Sequence, residues 1–459
     1  MPSRRSSRTA STQASRVAPT LASGARNVRP AASASLAEAA DRTYRAPAHS
    51  KSAKRQSAQG RIGLALAGGG PLGAIYELGA LAALAESLEG LDFTDLHVYV
   101  GVSSGGFIAA GLANGYTPIE MFRMFIESDA IHEPFDPAVL MRPAFREYLK
   151  RAASVPPLLA KSLGYYLSNP IGHGFFASFQ RLSQALPTGI FNNAGIGAWL
   201  ERLFARPGHS NDFRRLGHKL YLVATDLDSG ATVEFGAPRF DHVPISQAVL
   251  ASAALPGLFP PVEIDGRYYV DGALKKTLHA SVALKEHARL VLCINPLVPF
   301  DASSKAHPHR SSVIEGGLPL VLSQTFRAII HSRMQVGMGK YDTEFPRADV
   351  VLFEPKRNDA DMFFTNIFSY SSRKRLCEHA YQKTRAELWQ RRHALGPVLG
   401  RHGVRLDLDR VRDPGLSLVR SEAEPKPRGG TGAMRVTASL TDCLDDLDRW
   451  VKIAALKSA

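Results

Sequence analysis

The feature that most constrains this chain is a buried run, His97 to Val100, that leads straight into Gly101-Val102-Ser103-Ser104-Gly105-Gly106 and then into a helix-forming stretch, Phe107 to Ala113. Strand, glycine turn and helix in direct succession form the repeating unit of a parallel α/β sheet. The same unit stands just upstream. The apolar run Ile62 to Ala67 ends in Gly68-Gly69-Gly70-Pro71-Leu72-Gly73, and Ala74 to Leu88 follows with apolar residues at helical spacing. Two such units in tandem call for neighbouring strands with helices packed on the sheet.

Further strand signals follow at intervals. Leu220 to Thr225 reads as a strand that turns through Asp228-Ser229-Gly230 into Ala231 to Phe235. Val262 to Ile264, Asp265-Gly266 and Arg267 to Val270 read as a second hairpin. Leu290 to Ile294 and Val350 to Phe353 have the continuous apolar character of buried strands. Residues 115–200 are mainly helical, broken by prolines, and 318–341 and 370–403 read as long helices. Pro425-Lys426-Pro427-Arg428-Gly429-Gly430 marks a linker, with one short helix expected in the last twenty-five residues. The expected organisation is a basic tail at 1–60, a catalytic core at 62–300, a helical extension at 301–410 packed on that core, and a linker with a terminal helix at 411–459.

Charge narrows the partners. The chain of 459 residues carries a net +14, yet residues 1–60 hold eleven basic residues against Glu38 and Asp41, leaving only +5 for the rest. A nucleic-acid binder needs its basic face on the fold itself, so no nucleic-acid partner is expected. Rich in Ser, Ala and Arg, the tail has too little apolar surface to offset its ordering entropy and reads as disordered. Its composition also suits a transit peptide or a polybasic arm for anionic lipid. No run of eighteen uncharged apolar residues occurs, so membrane contact is expected to be peripheral and the location cytoplasmic. Cys293, Cys377 and Cys443 are odd in number and far apart, which fits a reducing compartment without a disulfide framework. No Cys/His spacing suits zinc, and no metal or cofactor is expected.

The chemistry centres on Gly101-x-Ser103-x-Gly105. A serine between flanking glycines, at the junction of strand and helix, is a nucleophile elbow, and the helix that starts beside it favours negative charge there. Such a serine needs an oxyanion site and a base. The turn Gly68, Gly69, Gly70 to Gly73 offers backbone N–H groups for the oxyanion. The same turn fits Gly-x-Gly-x-x-Gly of a dinucleotide site, but the second strand then lacks the acidic residue at its end, and Asp95 precedes it. For the base, His279, His331 and His379 occur late enough, yet none stands at a marked turn or strand end. Asp271 follows the strand Arg267 to Val270 and precedes the small residues Gly272 and Ala273. Asp-Gly is also an ordinary turn signal, so the bare pattern leaves its role open.

Together, Gly68-Gly69-Gly70-x-x-Gly73, Gly101-x-Ser103-x-Gly105 and Asp271-Gly272-Ala273, in this order, resemble the patatin-like phospholipase family. Ala224-Thr225-Asp226-Leu227-Asp228-Ser229-Gly230, Ala251-Ser252-Ala253-Ala254-Leu255-Pro256 and Phe259-Pro260-Pro261-Val262 extend the resemblance over roughly 62–300. It implies a three-layer α/β/α fold with a mostly parallel central sheet and a Ser–Asp dyad without histidine. By the same resemblance Ser103 is the nucleophile, Asp271 the base, and the backbone of Gly69 and Gly70 part of the oxyanion hole. The implied reaction is hydrolysis of lipid acyl esters through an acyl-enzyme, of the phospholipase A, lysophospholipase or lipid esterase type. The rival expectation is a lipid-surface binding protein of the same fold with little turnover. An aspartate at its ordinary pKa is a poor base for a serine, so apolar surroundings are expected to raise it. Leu72, preceded by Pro71, stands where the family often carries a cation, and Lys275 and Lys276 are the candidates to replace it.

Residues 134–190 are placed to cover the site. Leu158, Leu159, Leu163, Tyr166 and Leu167 share one helix face, bordered by Lys150, Arg151 and Lys161. Such a face either docks on lipid or packs into a core. Oligomeric state is left open by the sequence.

Overall fold

The computed structural model describes residues 61–127, 135, 139, 142–168, 183, 185–302, 313–364 and 370–419. The expected tail at 1–60 lies outside them, as do residues 420–459 of the expected linker and terminal helix; a short helix, Leu408–Arg412, runs into the start of that span. The main described elements are β1 (Ile62–Leu66), α1 (Gly70–Ser87), β2 (Val98–Val102), α2 (Ser104–Ala113), α3 (Phe145–Ser168), α4 (Ala194–Phe204) and β3 (Lys219–Asp226). Then come β4 (Thr232–Phe235), α5 (Ile245–Ser252), β5 (Val262–Ile264), β6 (Arg267–Asp271), α6 (Ala280–Lys285), β7 (Leu290–Ile294), α7 (Gly317–Glu344), β8 (Asp349–Phe353) and α8 (Tyr370–Arg401).

Five strands, in the order β3-β2-β1-β7-β8, run parallel. Their residues are apolar in succession because helices cover both faces. On one face α1, α2, α4 and α8 build the larger core with Leu64, Tyr99, Leu222 and Leu292. On the other, α6 and α7 close over Ala65, Val100, Val223 and Val291. This is a three-layer α/β/α fold with a mostly parallel sheet. The edge strand β8 comes from beyond residue 300, so the sheet itself draws on that part of the chain. Helix α1 is buried between the sheet and α8; a Cβ at Gly79 would lie 2.3 Å from the Cys377 carbonyl, so only glycine permits this approach. Cys293 and Cys377 are free and buried.

The antiparallel strands decide how the site is assembled. Strand β4 pairs along one side of β3, at Leu222 to Thr225. On the other side β2 pairs up to Val223, opposite Val102, and there it ends. Strand β6 takes over that side one residue later, with Asp271 opposite Ala224. Its hairpin with β5 turns through Asp265 and Gly266, both at positive φ (52° and 73°), the conformation an Asp-Gly hairpin turn requires. Among the described residues no helix is long and apolar enough to cross a membrane.

Candidate active site

Ser103 sits between the last residue of β2 and the first of α2, with φ 53° and ψ −123°. A non-glycine residue held there stores roughly 1–3 kcal/mol of backbone strain. The surroundings enforce it. A Cβ at Gly101 would lie 2.5 Å from the Gly105 carbonyl oxygen, and one at Gly105 would lie 2.5 Å from that of Ala67. The chain can therefore double back only with glycine on both sides of the serine. A further brace holds the elbow. The Ser103 N–H donates to Ser252 Oγ at 2.8 Å, and the Ser252 hydroxyl donates to the Val223 carbonyl at 2.6 Å. Ser252 thus ties the elbow to β3. The small-residue run around it is visible in the sequence, but its bridging role is not.

Asp271 ends β6 and is buried. Oδ1 accepts the Ala273 N–H at 2.8 Å, and the Asp271 N–H donates to the Ala254 carbonyl at 3.0 Å. Gly272 lets this turn close on β3, because a Cβ there would lie 2.4 Å from the Val223 carbonyl. Burial pushes the Asp271 carboxyl up to about 6, opposed by the Ala273 N–H and by the Ser103 hydroxyl beside it. Desolvation disfavours the anion, as the apolar setting leads one to expect.

The first glycine turn closes the third side. A Cβ at Gly68 would lie 3.1 Å from the Cβ atoms of both Ser103 and Ala273. All three motifs therefore meet at one point. Gly70 opens α1 with φ +62°, and the N–H groups of Gly69 and Gly70 make no hydrogen bond within the described structure. They are the free donors of a helix N-terminus. Gly73 differs from the expectation. Its N–H already donates to the Gly69 carbonyl at 3.1 Å, so it is spent in the helix. Its small size instead admits Pro296, which also packs against Gly69.

Leu72 turns toward the larger core. The two lysines proposed to replace a cation do not approach this turn. Lys275 Nζ donates to the Gly230 carbonyl at 2.5 Å, and Lys276 Nζ reaches Ser281 Oγ at 3.2 Å and lies over the Tyr341 ring. The three late histidines have other settings. His279 is buried, where desolvation pulls its pKa down to about 3; His331 contacts Gln335; His379 pairs with Asp359 at 2.7 Å.

A family model for patatin-like phospholipase matches residues 64–284. This stretch is a patatin-like phospholipase domain. The matched stretch holds Ser103, Asp271, Ser252 and the first glycine turn, while Pro296 lies beyond it. Similarity elsewhere is distant. "Probable lipid hydrolase 463L" of Invertebrate iridescent virus 6 is 23% identical over 221 residues, 48% of this chain and 62% of that protein. The chain thus spans less than two thirds of the length of this curated relative. Among solved structures, VipD from Legionella pneumophila is 16% identical, with TM-score 0.33, over 71% of this chain and 66% of that one. ExoU of Pseudomonas aeruginosa, solved in complex with SpcU, is 17% identical, with TM-score 0.24, over 62% and 53%.

Proposed function

We propose that this chain is a serine lipid acyl hydrolase that works through Ser103 and Asp271. The observation that carries the reading is the meeting of a strained, glycine-flanked serine with a buried carboxyl poised near neutral pH, beside two free backbone N–H groups. In the proposed cycle Asp271 takes the Ser103 hydroxyl proton as Oγ attacks the ester carbonyl. The N–H groups of Gly69 and Gly70 stabilise the oxyanion. Collapse expels the alcohol, which takes the proton back from Asp271, and leaves an acyl-Ser103 ester. Water, deprotonated by Asp271, then releases the fatty acid and restores the serine. No histidine is needed in this reading, because burial raises the Asp271 pKa to about 6 and makes its carboxylate a stronger base than an ordinary aspartate. The patatin-like domain and the name of the viral relative support a lipid ester as substrate. A fluorophosphonate probe is expected to label the wild-type protein and to leave Ser103→Ala unlabelled. Equal labelling of both would reject Ser103, and no labelling of either would favour a binding protein of the same fold.

Helix α3 suits contact with a lipid surface. Phe145, Leu149, Leu159, Leu163 and Leu167 recur at helical spacing along one face, and all are exposed, Leu149 at 72% and Leu167 at 63%. The exposed cations Lys150 and Lys161 stand on the same helix. Five large apolar side chains in water are costly unless a partner covers them. Leu159→Glu or Leu163→Glu is expected to lower flotation with anionic liposomes severalfold. Flotation equal to wild type in both variants would remove α3 from the docking surface.

A further inference from the structure

Helix α7 carries a cation that the proposed mechanism does not use. Arg327 is buried, only 7% exposed, and burial alone pulls its pKa down to about 10, with no carboxylate contributing. Its Nη1 donates to the carbonyls of Pro296 at 3.4 Å and Val298 at 3.3 Å, both long for such bonds. Nε has no partner. The Phe363 ring lies under the guanidinium at 5.2 Å. Among the described residues no carboxylate comes within ion-pair distance of it. A buried guanidinium without a counter-charge is strongly disfavoured unless an anion completes it.

The space beside it suits such an anion. Arg327 lines a small cleft together with Val298, Lys356, Arg357, Asp359 and Phe363. The cleft offers about 10 Å³, enough for one oxygen atom. Lys356 and Arg357 are exposed and add two positive charges. Asp359 is the one acid of this lining, and its Oδ2 is held by His379 at 2.7 Å. Pro296, whose carbonyl Arg327 holds, is the residue packed on Gly69 and Gly73. One proline therefore separates the cleft from the proposed oxyanion turn.

We propose that Arg327, with Lys356 and Arg357, binds a phosphoryl anion through one oxygen inserted in this cleft. Resting on the lipid hydrolase reading, the anion is the phosphodiester of a glycerophospholipid head group whose acyl ester lies at Ser103. The full chain is titrated calorimetrically with inorganic phosphate and with sn-glycerol 3-phosphate at low ionic strength. Saturable binding is expected, weakened at least tenfold in Arg327→Gln and several-fold in the surface double variant Lys356→Ala/Arg357→Ala, which tests the site even if Arg327→Gln fails to fold. A second arm measures kcat/KM for dihexanoyl phosphatidylglycerol over that for dihexanoylglycerol. This ratio is expected to fall at least tenfold in Arg327→Gln and to recover partly in Arg327→Lys. Weakened binding with an unchanged ratio would support the anion site but assign it to free phosphate instead of a head group. No saturable binding in wild type, or binding that both variants retain, would overturn the site. If wild type hydrolyses neither ester, the hydrolase reading fails, and the phosphate titration still decides the anion site.

Discussion

Replacing Ser103 with alanine is expected to lower kcat/KM for a short-chain lipid ester by at least about 10⁴-fold, while the protein stays folded. The loss is large because the proposed acyl-enzyme forms on this hydroxyl. Ser104, the next residue, has a buried hydroxyl without a partner, yet it lies within the first turn of α2. What remains should be the contribution of the oxyanion donors and of binding alone. Stability should scarcely change, because alanine keeps the Cβ and therefore the strained φ of 53°. Glycine at the same position should remove activity equally but raise stability by about 1 kcal/mol, since it adopts this conformation without strain. Initial rates and thermal denaturation of the two variants separate the chemical role of the hydroxyl from the conformational cost of holding it. A fall of less than tenfold in Ser103→Ala would place the nucleophile elsewhere.

Asp271→Asn should cost a comparable factor, about 10⁴, because the amide keeps an oxygen for the Ala273 N–H but cannot accept the serine proton. In the wild type only the ionised carboxylate is a base, so kcat/KM should rise with pH to a plateau, with its midpoint near the raised pKa of about 6. A midpoint near 4, the value of an unperturbed aspartate, would show that Asp271 is not the controlling base. Stability should move the opposite way. The folded-state pKa lies above the unfolded one, so this group stabilises the fold at pH below about 4, and that contribution disappears as pH rises through 6. The shift from 3.8 to about 6 corresponds to roughly 3 kcal/mol. Relative to wild type, Asp271→Asn should therefore gain up to roughly 3 kcal/mol in stability between pH 4 and pH 8. Denaturant titrations of both proteins at the two pH values measure the difference.

Much of this site was legible in the sequence, and the reason is local. A strand, a glycine turn and a helix leave their mark within about twenty consecutive residues, so both turns and the elbow at Ser103 could be placed from pattern alone. Asp271 was different. Its local pattern is an ordinary Asp-Gly turn, and only the family resemblance gave it a role. The physical reason is that β6 reaches β2 through their common neighbour β3, a relation between residues 102, 223 and 271 that no short window contains. Ser252 was missed for the same reason. Helix α3 shows another limit, because an apolar stripe has the same spacing whether it meets a core or water. Gly73 shows a third, since helical hydrogen bonding had already taken the N–H that its motif position suggested for the oxyanion.

The handover along β3, where pairing passes from β2 at Val223 to β6 at Ala224, also sets when Ser103 and Asp271 can meet. A chain made from its N-terminus exposes Ser103 long before Asp271 exists. The pairing that brings them together closes a loop of well over a hundred residues, which is slow and comes after local structure. An unfinished chain therefore carries the proposed nucleophile without the proposed base, and the proposed lipolytic activity is silent throughout synthesis until the third motif arrives.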